Sequence, residues 1–177
     1  ATCGYNGHDF WGPTLLMKKG STARMQLKNT LAEDTTTHWH GLLVPGPVDG
    51  GPHQTIPAGT TWSPSFEVKN KAATYWYHPH LHGSTALQVA SGMAGALIIH
   101  GDRPPTPNRN GDIDTLLRDE AGTAYRERLV LFQQVQYACR NDVDQVKVRM
   151  AKGVDSKGNP VVNVVDWVCD EGDTGQI

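Results

Sequence analysis

Two His-x-His pairs, His38-Trp39-His40 and His78-Pro79-His80, set the tightest limit on how this chain can fold. The first follows Thr35-Thr36-Thr37 and the second follows Thr74-Tyr75-Trp76-Tyr77. Such β-branched and aromatic runs favour strands. Side chains two apart on a strand point to the same face, so each pair aims two imidazoles at one region. Neighbouring strands lie roughly 4.8 Å apart, so two such pairs side by side bring four imidazoles within reach of one or two metal ions. Pro79 cannot donate to a ladder, which places the second pair near a strand end or an edge, open to a metal or another surface.

The rest of the chain supports an all-β reading. Nineteen Gly and eleven Pro in 177 residues imply many turns. Ala23 to Lys28 and Thr61 to Lys69 alternate apolar and polar, the period of a half-buried strand. In the second run Trp62, Phe66 and Val68 share one face, and Ser63, Ser65, Glu67 and Lys69 the other. Gly92 to His100 reads as a buried strand and Ser84 to Ser91 as a short helical turn. Gly101 to Gly111 holds three Pro, two Gly and two Asn, a linker composition. Beyond it, Asp112 to Arg128 is expected to hold a short helix, Leu129 to Phe132 a fresh strand, and Val146–Met150 with Val161–Val165 a hairpin around residues 155–159. The expected organisation is one whole β domain over 1–101, then a linker and the opening strands of an incomplete second β domain over 102–177.

Net charge is −2 and no run of Lys or Arg stands out, which argues against nucleic acid or an anionic membrane surface as a partner. No apolar run approaches a membrane span, and no export signal is visible at the start. Of three cysteines, Cys139 and Cys169 flank the expected hairpin and either pair or stay free; spacing alone does not decide, and Cys3 is left over. A bridge would imply an oxidising compartment.

A lone strand histidine is usually a surface or satisfied core residue, and His8, His53 and His100 are read that way. Two His-x-His pairs in one small domain are different, because neutral imidazole is the commonest transition-metal ligand. Nitrogen-only donors suit zinc, copper, iron or nickel, and the affinity order favours copper. A zinc hydrolase fits poorly: the usual dinuclear pattern sets an Asp beside the last histidine of the motif, where Leu81 and Gly83 flank His82. A cupin fits poorly too, since no carboxylate follows His40 before Asp49.

Thr37-His38-Trp39-His40-Gly41, taken with Trp76-Tyr77-His78-Pro79-His80-Leu81-His82-Gly83, resembles the first cupredoxin domain of a laccase-type multicopper oxidase. The bacterial copper-efflux oxidases and their laccase relatives are the nearest in character. The likeness extends to Gly12-Pro13-Thr14-Leu15, Val48-Asp49-Gly50-Gly51-Pro52 and Gly92-Met93-Ala94-Gly95-Ala96-Leu97-Ile98-Ile99, covering roughly residues 4–102. It implies a Greek-key β-sandwich of cupredoxin type and a periplasmic or secreted protein. By the same resemblance, His38 would bind the type 2 copper and His40, His78 and His80 the binuclear type 3 coppers. His82 would be a hydrogen-bonding neighbour rather than a ligand. Asp49 would help move protons to reduced dioxygen, although a turn Asp before Gly50 explains it equally well.

That family couples one-electron oxidation of phenols, metal ions or similar donors to four-electron reduction of dioxygen to water. Its three-copper cluster takes eight histidines, and this chain offers four of them. The remaining cupredoxin domains of the same protein are therefore expected to supply the other half. A type 1 copper needs a Cys thiolate with two His. No Cys here has a His nearby, so that site is expected on a missing domain. The chain alone is expected to be inactive as an oxidase. The alternatives are a copper-binding or copper-buffering module without turnover and, least favoured, a mononuclear zinc hydrolase.

Overall fold

The computed structural model describes residues 4–134, 138–141, 143, 145–171, 173 and 175–176. Cys3 lies outside the described residues. The chain divides into two compact units, Ala1–Leu131 and Phe132–Ile177.

The first unit is built on a four-stranded sheet. Its order is β1 (Leu15–Lys18), β8 (Gly95–His100), β7 (Ala73–His78) and β4 (His38–His40). β1 runs parallel to β8, and the other two pairs are antiparallel. Two shorter pairs complete the unit: β2 (Thr22–Arg24) with β6 (Ser65–Glu67), and β3 (Leu27–Lys28) with β5 (Thr61–Trp62). Period-2 alternation turns Trp39, Tyr77, Leu97 and Ile99 to one face of the main sheet, where they pack with Phe66 and Val68. Leu97 is fully buried and Trp39 only 1% exposed. The opposite face of β4 and β7 carries His38, His40, Trp76 and His78. The Tyr77 ring is seated by Gly12 and Gly95, where any Cβ would collide with it. Its hydroxyl donates to Pro13 O at 2.7 Å. Burial, reinforced by Tyr5, pushes that phenol above its ordinary value.

Several strands are shorter than expected, each for a backbone reason. The run 61–69 breaks at Ser63-Pro64 into β5 and β6, although its burial alternates as read. The run 23–28 breaks between β2 and β3, with Met25 N–H donating to Pro64 O at 3.1 Å. Thr35–Thr37 are buried but not part of β4. His38 pairs with His78, so a continued ladder would set Thr37 against Pro79, which has no N–H to give. Thr35 instead bridges Ile56. The helical turn is observed as α1 (Thr85–Ala90), and the 112–128 helix as the single turn α2 (Ile113–Leu116).

Residues 101–116 fold back onto the end of β8. Gly101 N–H donates to Asp114 Oδ2 at 2.9 Å, and Arg103 pairs with Asp112 at 2.9 Å. Leu129–Phe132 is not a strand, contrary to expectation. No ladder forms there among the described residues, and Val130 and Phe132 are 64% and 93% exposed. A β-prone run without a partner strand gains nothing from extended pairing.

In the second unit β10 (Val148–Val154) and β11 (Pro160–Trp167) form the expected antiparallel hairpin. Asp155 Oδ1 accepts from the N–H groups of Lys157 and Asn159, closing the turn. β9 (Ala138–Cys139) pairs with β12 (Gly175–Gln176). Cys139 and Cys169 are bridged, with Cα atoms 5.3 Å apart.

Candidate metal centre

β4 and β7 lie side by side in register, and this brings the two His-x-His pairs together. His38 is the Cα partner of His78, and His40 that of Trp76. The His38 ring centroid is 5.6, 5.5 and 5.4 Å from those of His40, His78 and His80. His40 and His78 are 5.3 Å apart, His78 and His80 5.9 Å. One ligand atom each from His38, His40 and His78 lies within 4.8 Å of the other two. His80, just past Pro79, borders that trio through its ring.

Backbone carbonyls aim these rings. His38 Nδ1 is 2.9 Å from Asp49 O, and His78 Nδ1 is 2.7 Å from Pro79 O. A carbonyl only accepts, so each Nδ1 carries the proton and each Nε2 keeps its lone pair. His78 Nε2 faces His40 Nδ1 at 3.1 Å. His80 is held through its main chain, its N–H donating 2.6 Å to Oγ1 of the fully buried Thr36.

The loop 46–50 supplies the carbonyl for His38. A single 3₁₀ turn over Gly46–Val48 leads to Asp49, whose O also accepts from Trp39 N–H at 3.3 Å. Trp39 Nε1–H donates to Val48 O at 3.0 Å. Gly50 has φ +75° and lies so close to Thr37 O that a Cβ would overlap it. Only glycine fits there, and it lets the loop press onto β4. The Asp49 carboxylate, 35% exposed, stands 3.5 Å from His38 Nδ1.

Burial favours the neutral form of His78. Burial lowers the His78 pKa from 6.5 to about 4, helped by the neighbouring His38, His40 and His80 and opposed by the Pro79 carbonyl. The packed imidazoles make a nitrogen donor set that fits copper, zinc or nickel.

Trp76 joins the site beside the four histidines. Its ring stacks on His78 at 4.0 Å and lies 4.9 Å from His40. The period-2 rule already placed it on the His78 face. Thr36 had no comparable signal. His8, His53 and His82 are exposed and outside the cluster. His100 is part of a separate group with Asp114.

The multicopper oxidase family model matches residues 1–104. Multicopper oxidase mco of Staphylococcus aureus is 46% identical over 122 residues, 67% of this chain and 27% of that protein. The cell division protein FtsP of Salmonella typhimurium is 36% identical over 122 residues, 66% of this chain and 26% of its own. A solved bacterial laccase-like multi-copper oxidase, CueO from Ochrobactrum sp., is similar at 43% identity with a TM-score of 0.54, covering 56% of this chain and 22% of that one. The chain thus spans about a quarter of the length of the curated relatives it matches. With these neighbours, the strand-dominated architecture is the all-β sandwich of cupredoxin type.

Proposed function

We propose, from the premise that this chain belongs to the multicopper oxidase family, that it is the N-terminal part of an oxidase and supplies four histidines of a trinuclear copper cluster. The premise itself implies copper. His38 would hold the type 2 copper, and His40, His78 and His80 the type 3 pair. The observation that carries the assignment is the convergence of His38, His40 and His78 ligand atoms within 4.8 Å from two neighbouring strands. Copper held there supplies one-electron redox chemistry for reducing dioxygen to water at the expense of phenols, metal ions or similar donors.

The chain's own residues orient and protonate. Asp49 O, Pro79 O and Thr36 Oγ1 hold His38, His78 and His80 in place. The Asp49 carboxylate reaches both solvent and the His38 ring, a suitable place for handing protons toward reduced dioxygen. The type 1 copper and the other cluster ligands are assigned to further cupredoxin domains of the parent protein. The lengths of the relatives support that assignment. Residues 102–177 are assigned as linker and opening strands of the second such domain. A periplasmic or secreted location agrees with the Cys139–Cys169 bridge. Among the described residues no helix is long and apolar enough to cross a membrane.

Copper titration with an oxygen electrode tests this reading. The chain alone should bind copper through the four histidines, show no blue thiolate colour and consume no oxygen with a phenolic donor. The full-length parent should lose oxygen reduction when His78 and His80 become Ala. Oxygen uptake by the chain alone overturns the half-site assignment, and unchanged turnover in the substituted parent overturns the ligand assignment. A second reading, a copper-binding module without turnover, is favoured by one observation: relatives at 36% identity are named for cell division rather than oxidation. A copper-loaded parent that oxidises no donor would select it.

A further inference from the structure

A second group of metal-ligating side chains lies in the first unit, outside the histidine cluster. His100 is the last residue of β8, Asp114 lies on α2, and Glu127 belongs to the irregular stretch that follows. One ligand atom from each is within 4.8 Å of the other two. His100 Nδ1 is 2.7 Å from Asp114 Oδ1, while Asp114 Oδ2 accepts from Gly101 N–H at 2.9 Å. Two of the three side chains are therefore held in place. Glu127 is exposed, and among the described residues its carboxylate has neither a hydrogen bond nor an ion pair. The Glu127 main-chain O accepts from Arg128. Two carboxylates thus converge on one imidazole.

We propose that His100, Asp114 and Glu127 bind a divalent transition-metal ion of the zinc or copper(II) class, and that this ion ties the stretch 114–127 to the end of β8. An imidazole favours such ions over magnesium or calcium, and the lack of a thiolate disfavours copper(I). Donors about 2.1 Å from a tetrahedral zinc ion stand about 3.4 Å apart, so the set closes when the Glu127 side chain rotates in and the 2.7 Å His100–Asp114 contact opens slightly. The site stands independently of the four-histidine cluster and of the oxidase reading.

Zn²⁺ added to the 177-residue chain, followed by ¹⁵N resonances of the histidine rings, tests the assignment residue by residue. His100 should shift with saturable dependence on Zn²⁺, separately from His38, His40, His78 and His80. Glu127→Gln, at an exposed position, should leave the fold intact and weaken the His100 response about tenfold or more. Zn²⁺ should also slow amide exchange over residues 113–117 in the unsubstituted chain and not in Glu127→Gln. Asp114→Asn loses part of its hold on His100 as well, so Glu127→Gln carries the decision. A His100 ring indifferent to Zn²⁺, or an affinity unchanged by Glu127→Gln, overturns the proposal.

Discussion

His38 and His78 are directly opposed across the β4–β7 ladder, with ring centroids 5.5 Å apart on the face away from the core. Trp39 and Tyr77, the next opposed pair, point the other way into the core. One strand pairing therefore closes the hydrophobic interior and assembles the histidine face. Mutations at this ladder are expected to read out in both stability and metal binding.

The first expected outcome concerns pH. His78 titrates near 6.5 when unfolded and near 4 in the fold, because burial and neighbouring imidazoles disfavour its charge. Above 6.5 both states are neutral and the fold bears no penalty. As pH falls from 6.5 toward 4 the unfolded state takes up the proton first, so stability falls across that window and levels off below it. Urea denaturation at pH 7.5, 5.5 and 4.5 should show the loss, and His78→Gln should flatten it. Copper affinity should fall as pH drops toward 4, where folded His78 takes up its proton, since ligating imidazoles must be neutral.

Gly50→Ala should damage both loop and site. The position has φ +75° and no room beside Thr37 O. A cost of about 1–3 kcal/mol is expected from backbone strain, together with weaker copper binding as Asp49 O is pushed off His38. Gly51→Ala is the comparison, because a Cβ there meets nothing within 4 Å. Equal effects from the two substitutions in denaturation and copper titration would refute the role given to Gly50.

Thr36→Val removes the acceptor of the His80 N–H while keeping the shape. Leaving that partly buried donor unpaired should cost about 1–3 kcal/mol. Thr36→Ser should restore most of the loss. If copper affinity tracks the same order, Thr36 positions His80; if valine binds copper as well as threonine does, it does not.

In the second unit, replacing Cys139 and Cys169 by Ser opens a loop with a sequence separation of 30. A loss of about 2–4 kcal/mol from that unit is expected. Amide exchange over β10 and β11 should accelerate, while copper binding by the four histidines, which lie in the other unit, should stay unchanged.

Much of the site was legible early because its rules are local. His-x-His within extended backbone puts both rings on one face, and Pro79 ends its strand wherever that strand lies. The 61–69 alternation survives in the burial of Trp62, Phe66 and Val68 even though Pro64 splits the strand. Leu129–Phe132 misled for the opposite reason: high β propensity does not supply a partner, and the run is left outside every ladder among the described residues. His100 reads as an ordinary strand histidine until Asp114, fourteen residues on, turns back to meet it.

The amino-acid order alone determined which histidines share a face, which prolines interrupt a ladder, and that Trp39 must oppose its flanking imidazoles. Those follow from backbone torsions with a two-residue repeat, and no distant contact alters them. The tertiary structure decided that β4 lies beside β7 with no offset, that Thr36 holds the His80 main chain and Asp49 O the His38 ring, and that Trp76 stacks on His78. Inter-strand register is chosen by the whole set of long-range pairings and by the core they enclose, quantities that no short stretch of chain contains.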